Sequence, residues 1–461
     1  MKLEYLISLR LGFTTRYAEP LMKKGIKYYV QYLLDNPQHS AAPAFIPGIA
    51  ETMEARKQRK QLSEAEKKLG NEEERKRFNK LQAWWLGRMY TAENPLQERM
   101  TLFWHNHFVS SFQKVKSSSF LFQQNNTFRE NSFGSFKELT KKILYDNAML
   151  IYLDNNDNKV GKPNENLSRE LLELFTVGIG NYTEEDIKQG AKALAGLSPA
   201  EIGGRYRSKR EDNSSKVYLG KKGNLKANDL VDAIFDHPKV TIRITEKLLK
   251  YFLTDTPDSK LIEKYAECLD KNKFKVSAVV EKIFLEEDFN NYSGAKIKDP
   301  LTFILQTFYE VNFKTVPYRP TLKFLKNQGM ELFNPPNVKG WDGGRAWLDS
   351  GKLIARNSAI NTLFNLKFAK NNSKAMMQED DGLKDEDINF TPIISWNTKA
   401  ASNKEIISDL SEQMIFSVDK DMQYNMEQLL KYDFVPTSPG SSEAVDQLVK
   451  YIMKSPEYQL L

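Results

Sequence analysis

YLDNNDNKVGKPNENLSRELLELFTVGIG, residues 152–180, joins two contrasting patterns. Between Asp154 and Asn166 it holds eight Asp, Asn and Glu side chains; beyond Pro163, Leu167, Leu171 and Leu174 recur at helical spacing, with Leu172 and Phe175 widening the stripe. Such a stripe belongs to an amphipathic helix with one face against a core. The same period runs through residues 17–34, 51–90, 96–108 and 136–153, and again through 229–235, 240–253, 260–269, 276–286 and 300–311. The predicted fold is therefore all-α, a large multi-helix globular domain with long functional loops and at most a short β element, at 216–219. Residues 1–370 form the main helical domain in this reading. Residues 371–402 are too poor in apolar side chains to pack and form a mobile polar linker, and the helices of 403–461 return to the main domain.

Composition narrows the function classes. The net charge of +7 over 461 residues is spread through mixed-sign segments such as 51–80, which argues against nucleic acid as the main partner. Cys268 is the single cysteine, so an internal disulfide and a thiolate metal cluster are both excluded. No run approaches the roughly 20 apolar residues of a transmembrane helix, and residues 1–13 lack the form of an export signal. On these grounds a soluble, cytoplasmic protein is expected.

The oxygen-rich loop either caps its own backbone or holds a cation. Asp154, Asn156, Asn158 and Glu165 fall at positions 1, 3, 5 and 12 of a calcium loop, but Lys159 stands where the turn requires Gly, which disfavours an EF-hand. Asx-turns joining two helices are the alternative. In NPLQERMTLFWHNHF, from Asn94, Pro95 suits the first helical position and Gln97 can reach back to the cap. Leu96, Met100, Phe103 and His107 lie on the apolar stripe, while His105 shares the other face with Glu98 and Leu102. Histidines two apart diverge by roughly 200° on a continuous helix, so they share a metal only where the helix ends or distorts. Glu170, at the border of its stripe, needs a cation or an arginine partner. These residues define a candidate divalent metal site of His105, His107, Asp154 and Glu170. Glu98, Asp157, Glu165 and Glu211 are the candidate catalytic acids and bases. The loop NPPNVKGWDGGRAWL, from Asn334, offers Trp341, Arg345 and Trp347 as ligand-covering residues.

ERMTLFWHNHF, FRENSFGSF, the loop and helix quoted above, KVYLGKKGN and NPPNVKGWDGGRAWL, in that order, resemble the bacterial family catalogued as domain of unknown function 1800. The resemblance spans nearly the whole chain. It implies a mostly helical protein, often exported to the periplasm or envelope and often encoded beside a sulfatase-like protein, and it supplies no reaction. Many members carry a His-Asp pair ahead of the KxxLG run where this chain has Glu211-Asp212.

Two functions are consistent with these features. One is a divalent-metal-dependent, hydrolase-like enzyme in which the histidines and carboxylates activate water. The other is a non-catalytic helical adaptor that binds the sulfatase-like partner protein or a glycan.

Overall fold

Helical spacing of apolar residues carries through to the architecture in the computed structural model, which describes residues 1–365, 383, 393–430, 435 and 438–461. Among these, 22 α-helices are accompanied by two small two-stranded antiparallel sheets. The chain is thus all-α with a short β element. Strands β1 (Leu197–Ser198) and β2 (Arg205–Tyr206) form one hairpin, and β3 (Lys216–Tyr218) with β4 (Lys221–Gly223) the other. Of the segment read as a mobile linker, 371–382 and 384–392 lie outside the described residues. Within 393–402, Ile394 and Ala400 are buried and the Ile393 N–H donates to the Val311 carbonyl.

Eight helices frame the candidate sites: α1 (Glu64–Thr91), α2 (Pro95–His107), α3 (Ser118–Glu130), α4 (Phe136–Leu144), α5 (Asn147–Tyr152), α6 (Asn166–Glu170), α7 (Glu184–Leu194) and α8 (Lys239–Phe252). Ser63 and Glu66 close a capping box at the start of α1. Asn94 accepts the Gln97 N–H at the start of α2, with Pro95 in the first turn. The Gln97 side chain, expected to reach back to the cap, instead donates to the carbonyls of Gln38 and Arg129. Every residue of α2 except Asn106 is buried. Leu96, Met100, Phe103 and Trp104 enter one hydrophobic cluster and Leu102 the other. This helix is therefore the seam between two cores, with no solvent face.

Two expected helices are interrupted. The segment 17–34 breaks at Gly25 (φ +83°), giving Ala18–Lys24 and Ile26–Asp35. The helix after the oxygen-rich loop is α-helical only over α6 and widens to a π turn over Leu171–Phe175. There Thr176 Oγ1 donates to the Leu171 carbonyl and the Gly178 N–H to that of Leu172, which closes the turn.

Candidate functional site

The histidines of α2 have separate environments. His105 is buried within an aromatic box, its ring 5.1 Å from Trp85, 5.3 Å from Phe333 and 5.7 Å from Trp341 between centroids. Its Nε2 has no hydrogen-bond partner among the described residues, and burial pushes its pKa down to about 3. His107 Nε2 lies 3.0 Å from the Phe175 carbonyl, so it carries the proton and donates; Nδ1 then accepts from Lys247 Nζ at 3.0 Å. Lys247 also donates to the Leu174 carbonyl at 3.2 Å. Burial, and then the neighbouring Arg243, lower the Lys247 pKa to about 7. Both His107 nitrogens are occupied.

The carboxylates are engaged as well. Glu98 accepts from Arg129 at 2.7 and 2.9 Å, from Arg88 at 3.0 Å and from Trp85 Nε1 at 3.0 Å. Burial would raise its pKa, but the two arginines outweigh that and hold it below the ordinary value. This is a buried ion triad that tethers α1 and α3 to α2, with no free lone pair aimed at a substrate. Asp154, in the left-handed region at φ +55°, pairs with Lys114 at 2.6 Å and accepts from Asn166 Nδ2 at 3.2 Å. Glu165 pairs with Arg169 at 3.1 Å, Glu211 with Lys226 at 2.9 Å, and exposed Asp157 accepts from Asn156. Glu170 is half-buried; burial and then Glu173 raise its pKa, with Arg169 and Lys339 opposing.

Among the described residues, no three His, Cys, Asp or Glu side chains group so as to hold a metal ion. The set His105, His107, Asp154 and Glu170 does not converge, because each histidine faces a different core and Asp154 faces Lys114. The oxygen-rich loop instead stitches backbone. Asn155 Nδ2 donates to the carbonyls of Leu194 and Leu197, Asn158 Nδ2 to that of Ala191, and Asn158 Oδ1 accepts the Asn164 N–H. Its Asn side chains thus tie the loop to α7 and β1.

The Trp-rich loop docks on Asn106, the middle residue of the His-Asn-His run. The Trp341 N–H donates to Asn106 Oδ1 at 2.7 Å, and Gly340 (φ +86°) sits against the same amide. Trp341 and Trp347 are buried in the second hydrophobic cluster, and Arg345 is exposed. Both indoles pack against that core.

An open cleft of about 820 Å³ lies elsewhere, between α3 and α4. Phe122, Gln123, Asn126, Thr127 and Glu130 line it from one face of α3, and Glu138, Lys141, Lys142 and Tyr145 from α4 and its end. Ser40, Asn228, Asp146, Asn147 and the tip of the β1–β2 hairpin complete the wall. Lys141 is held by Asp232 at 3.0 Å and Glu138 at 3.4 Å, and Lys142 by Asn131 at 2.7 Å. Asp146 caps α5, accepting the Met149 N–H at 2.8 Å and Gln124 Nε2 at 2.7 Å. Burial nonetheless raises its pKa to about 7. The sequence reading missed this cleft. Its visible signal was Gln123, Asn126, Thr127 and Glu130 of FLFQQNNTFRE, which fall at helical spacing on one face.

A family model described as a protein of unknown function (DUF1800) matches residues 6–460. No curated protein and no solved structure matches the chain.

Proposed function

We propose, for a chain that belongs to the DUF1800 family along nearly its whole length, that it is a helical adaptor binding a neutral glycan in the cleft between α3 and α4. The observation that carries this is the chemistry of the lining. Gln123, Thr127 and Asn228 offer uncharged donors and acceptors, the groups that match sugar hydroxyls in both directions, while Asn126 is held by Glu130, Asn147 by Ala200 and Ser40 by Arg88. Both lining lysines already have partners, and the carboxylates of Glu130, Glu138 and Glu201 repel anions. A phosphorylated or sulfated ligand is disfavoured by that balance. The divalent-metal hydrolase is the weaker alternative, since its ligand set is dispersed among other partners.

Isothermal titration of the full chain with maltohexaose, cellohexaose and chitohexaose tests the proposal. Saturable binding of at least one is expected, weakened about tenfold by Gln123→Ala, since a ligand hydrogen bond is worth about 1 to 1.5 kcal/mol. Dialysis against a chelator should leave the affinity unchanged. Absence of binding to all three, or binding that Gln123→Ala leaves untouched, would reject the cleft as a glycan site.

A further inference from the structure

The β1–β2 hairpin tip, residues 199–204, is fastened to the segment that ends α4 and begins α5. Asn147 Nδ2 donates to the Ala200 carbonyl at 2.9 Å, and the Ala200 N–H returns to Asn147 Oδ1 at 3.1 Å. On the other side of the tip, the Gly204 N–H donates to the Tyr145 carbonyl at 2.6 Å. A Cβ on Gly204 would lie 2.5 Å from Leu150 Cδ1 and 3.1 Å from that same carbonyl, so the backbone rests directly on its support. Gly203 adopts φ +93°, and Glu201 and Gly203 bridge across the apex. Ile202, between them, is fully exposed and lines the cleft.

A single exposed isoleucine on a protein surface is ordinary. Ile202 differs in where it stands and in how little its backbone can yield. Both flanks are hydrogen-bonded to residues 145–147, and the side chain projects from that anchored backbone into solvent. The other apolar side chains of the lining are Ala42, Phe122 and Tyr145, and the rest is mostly polar. An apolar edge beside a row of amides and hydroxyls complements a molecule with a C–H face and a hydroxyl rim, which describes a pyranose ring.

We infer that Ile202, presented by the pinned hairpin tip, forms an apolar subsite of the cleft that takes the C–H face of a sugar ring while Gln123 and Thr127 of α3 take its hydroxyls. This rests on the glycan reading of the cleft. A rigid platform loses little freedom on binding, so the contact adds to affinity without an ordering penalty. Burying an isoleucine side chain contributes enough for about a tenfold change in affinity.

The test uses the full chain labelled with ¹³C at isoleucine δ1 methyls and titrated with the same three hexasaccharides. The Ile202 methyl resonance, assigned by its loss in Ile202→Ser, is expected to move with the calorimetric binding curve. Ile202→Ser should weaken binding about tenfold at an unchanged melting temperature. If an oligosaccharide binds but the Ile202 resonance stays fixed and the variant binds equally well, the subsite is overturned and the glycan cleft stands. If no oligosaccharide binds the wild-type chain, both fall. A wild-type oligomer dissociated by Ile202→Ser, with sugar affinity unchanged, would mark the tip as a protein contact and also overturn the inference.

Discussion

Asp146, half-buried at the edge of the cleft, and buried Glu310 are carboxyls whose pKa values desolvation raises to about 7, against the hydrogen bonds that oppose the shift. An unfolded carboxyl titrates near pH 4. Between about pH 4 and 7 the folded chain therefore holds protons that the unfolded chain has lost, and these two groups make stability fall as pH rises. The gap between folded and unfolded values corresponds to roughly 3 to 4 kcal/mol for each. Lys247 has the opposite sign: its folded pKa is lowered to about 7, so above that pH the unfolded amine retains a proton the folded one has released, and stability rises. Buried His105 and His107, both held below the ordinary imidazole value, act against the carboxyls below about pH 6.5, where the unfolded imidazoles bind protons that the folded ones do not. The carboxyl contribution is therefore read as a difference: Asp146→Asn and Glu310→Gln should each gain melting temperature relative to wild type as pH rises from 5 to about 7, and Lys247→Met should lose the rise above 7. Thermal melts across that range check it, and a difference from wild type that does not change with pH in both carboxyl variants would show that other groups are responsible. Position on the apolar stripe was legible in the sequence for His107. For His105 and Glu98 it was not, because α2 is buried on all sides. Periodicity separates two faces of a helix without saying that the second face meets another core instead of water.

At the scale of elements, Asn106 latches the Trp-rich loop. The Trp341 N–H and carbonyl both meet its amide, at 2.7 and 3.4 Å. Gly340 has no room for a side chain, since a Cβ there would fall 2.7 Å from the Asn106 carbonyl as well as onto its side chain, and its φ of +86° penalises any other residue. Gly340→Ala is expected to cost about 1 to 3 kcal/mol and to open the loop. Asn106→Ala should open it too, with a smaller loss of about 1 kcal/mol. Limited proteolysis would reveal both as new cuts within residues 334–348, and protection equal to wild type in both variants would refute the latch. The turn chemistry of this loop and of the oxygen-rich loop was readable from their Asn, Gly and Pro residues. The partners were not, because Asn155 and Asn158 bond to Ala191, Leu194 and Leu197, contacts that only the tertiary fold creates. The same density of oxygens that suggested a cation satisfies backbone N–H groups and a lysine.

Across the whole molecule, the two ends of the chain meet at buried cations. Arg10 donates to the carbonyls of Phe252, Leu253, Tyr292 and Leu461. Arg356 reaches Gln459 Oε1 at 3.0 Å and the Lys298 carbonyl at 3.0 Å, and Lys298 donates to the Tyr458 carbonyl at 2.6 Å. Desolvation lowers the pKa of Arg10 to about 9 and that of Arg356 to about 10. A buried cation surrounded by carbonyls is tolerable only while those carbonyls remain in place. The last residues are therefore structural closures of both hydrophobic clusters: Leu461 belongs to the first and Tyr458 to the second. Helix α2 and the N-terminal segment also contribute side chains to both, through Leu102 and Phe103 and through Leu11 and Phe13. Residues shared in this way leave neither core able to melt without exposing part of the other, which predicts one cooperative unfolding transition. Removing residues 456–461 strips partners from Arg10, Lys298 and Arg356 together. Losing one partner of a buried charge costs about 3 to 5 kcal/mol, so this deletion should lower the melting temperature by well over 10 °C or abolish folding. Calorimetry of the intact and shortened chains decides it. Two resolved transitions in the intact chain, or a shortened chain that melts normally, would mean that the cores are independent and that the C-terminal carbonyls are dispensable to the buried cations.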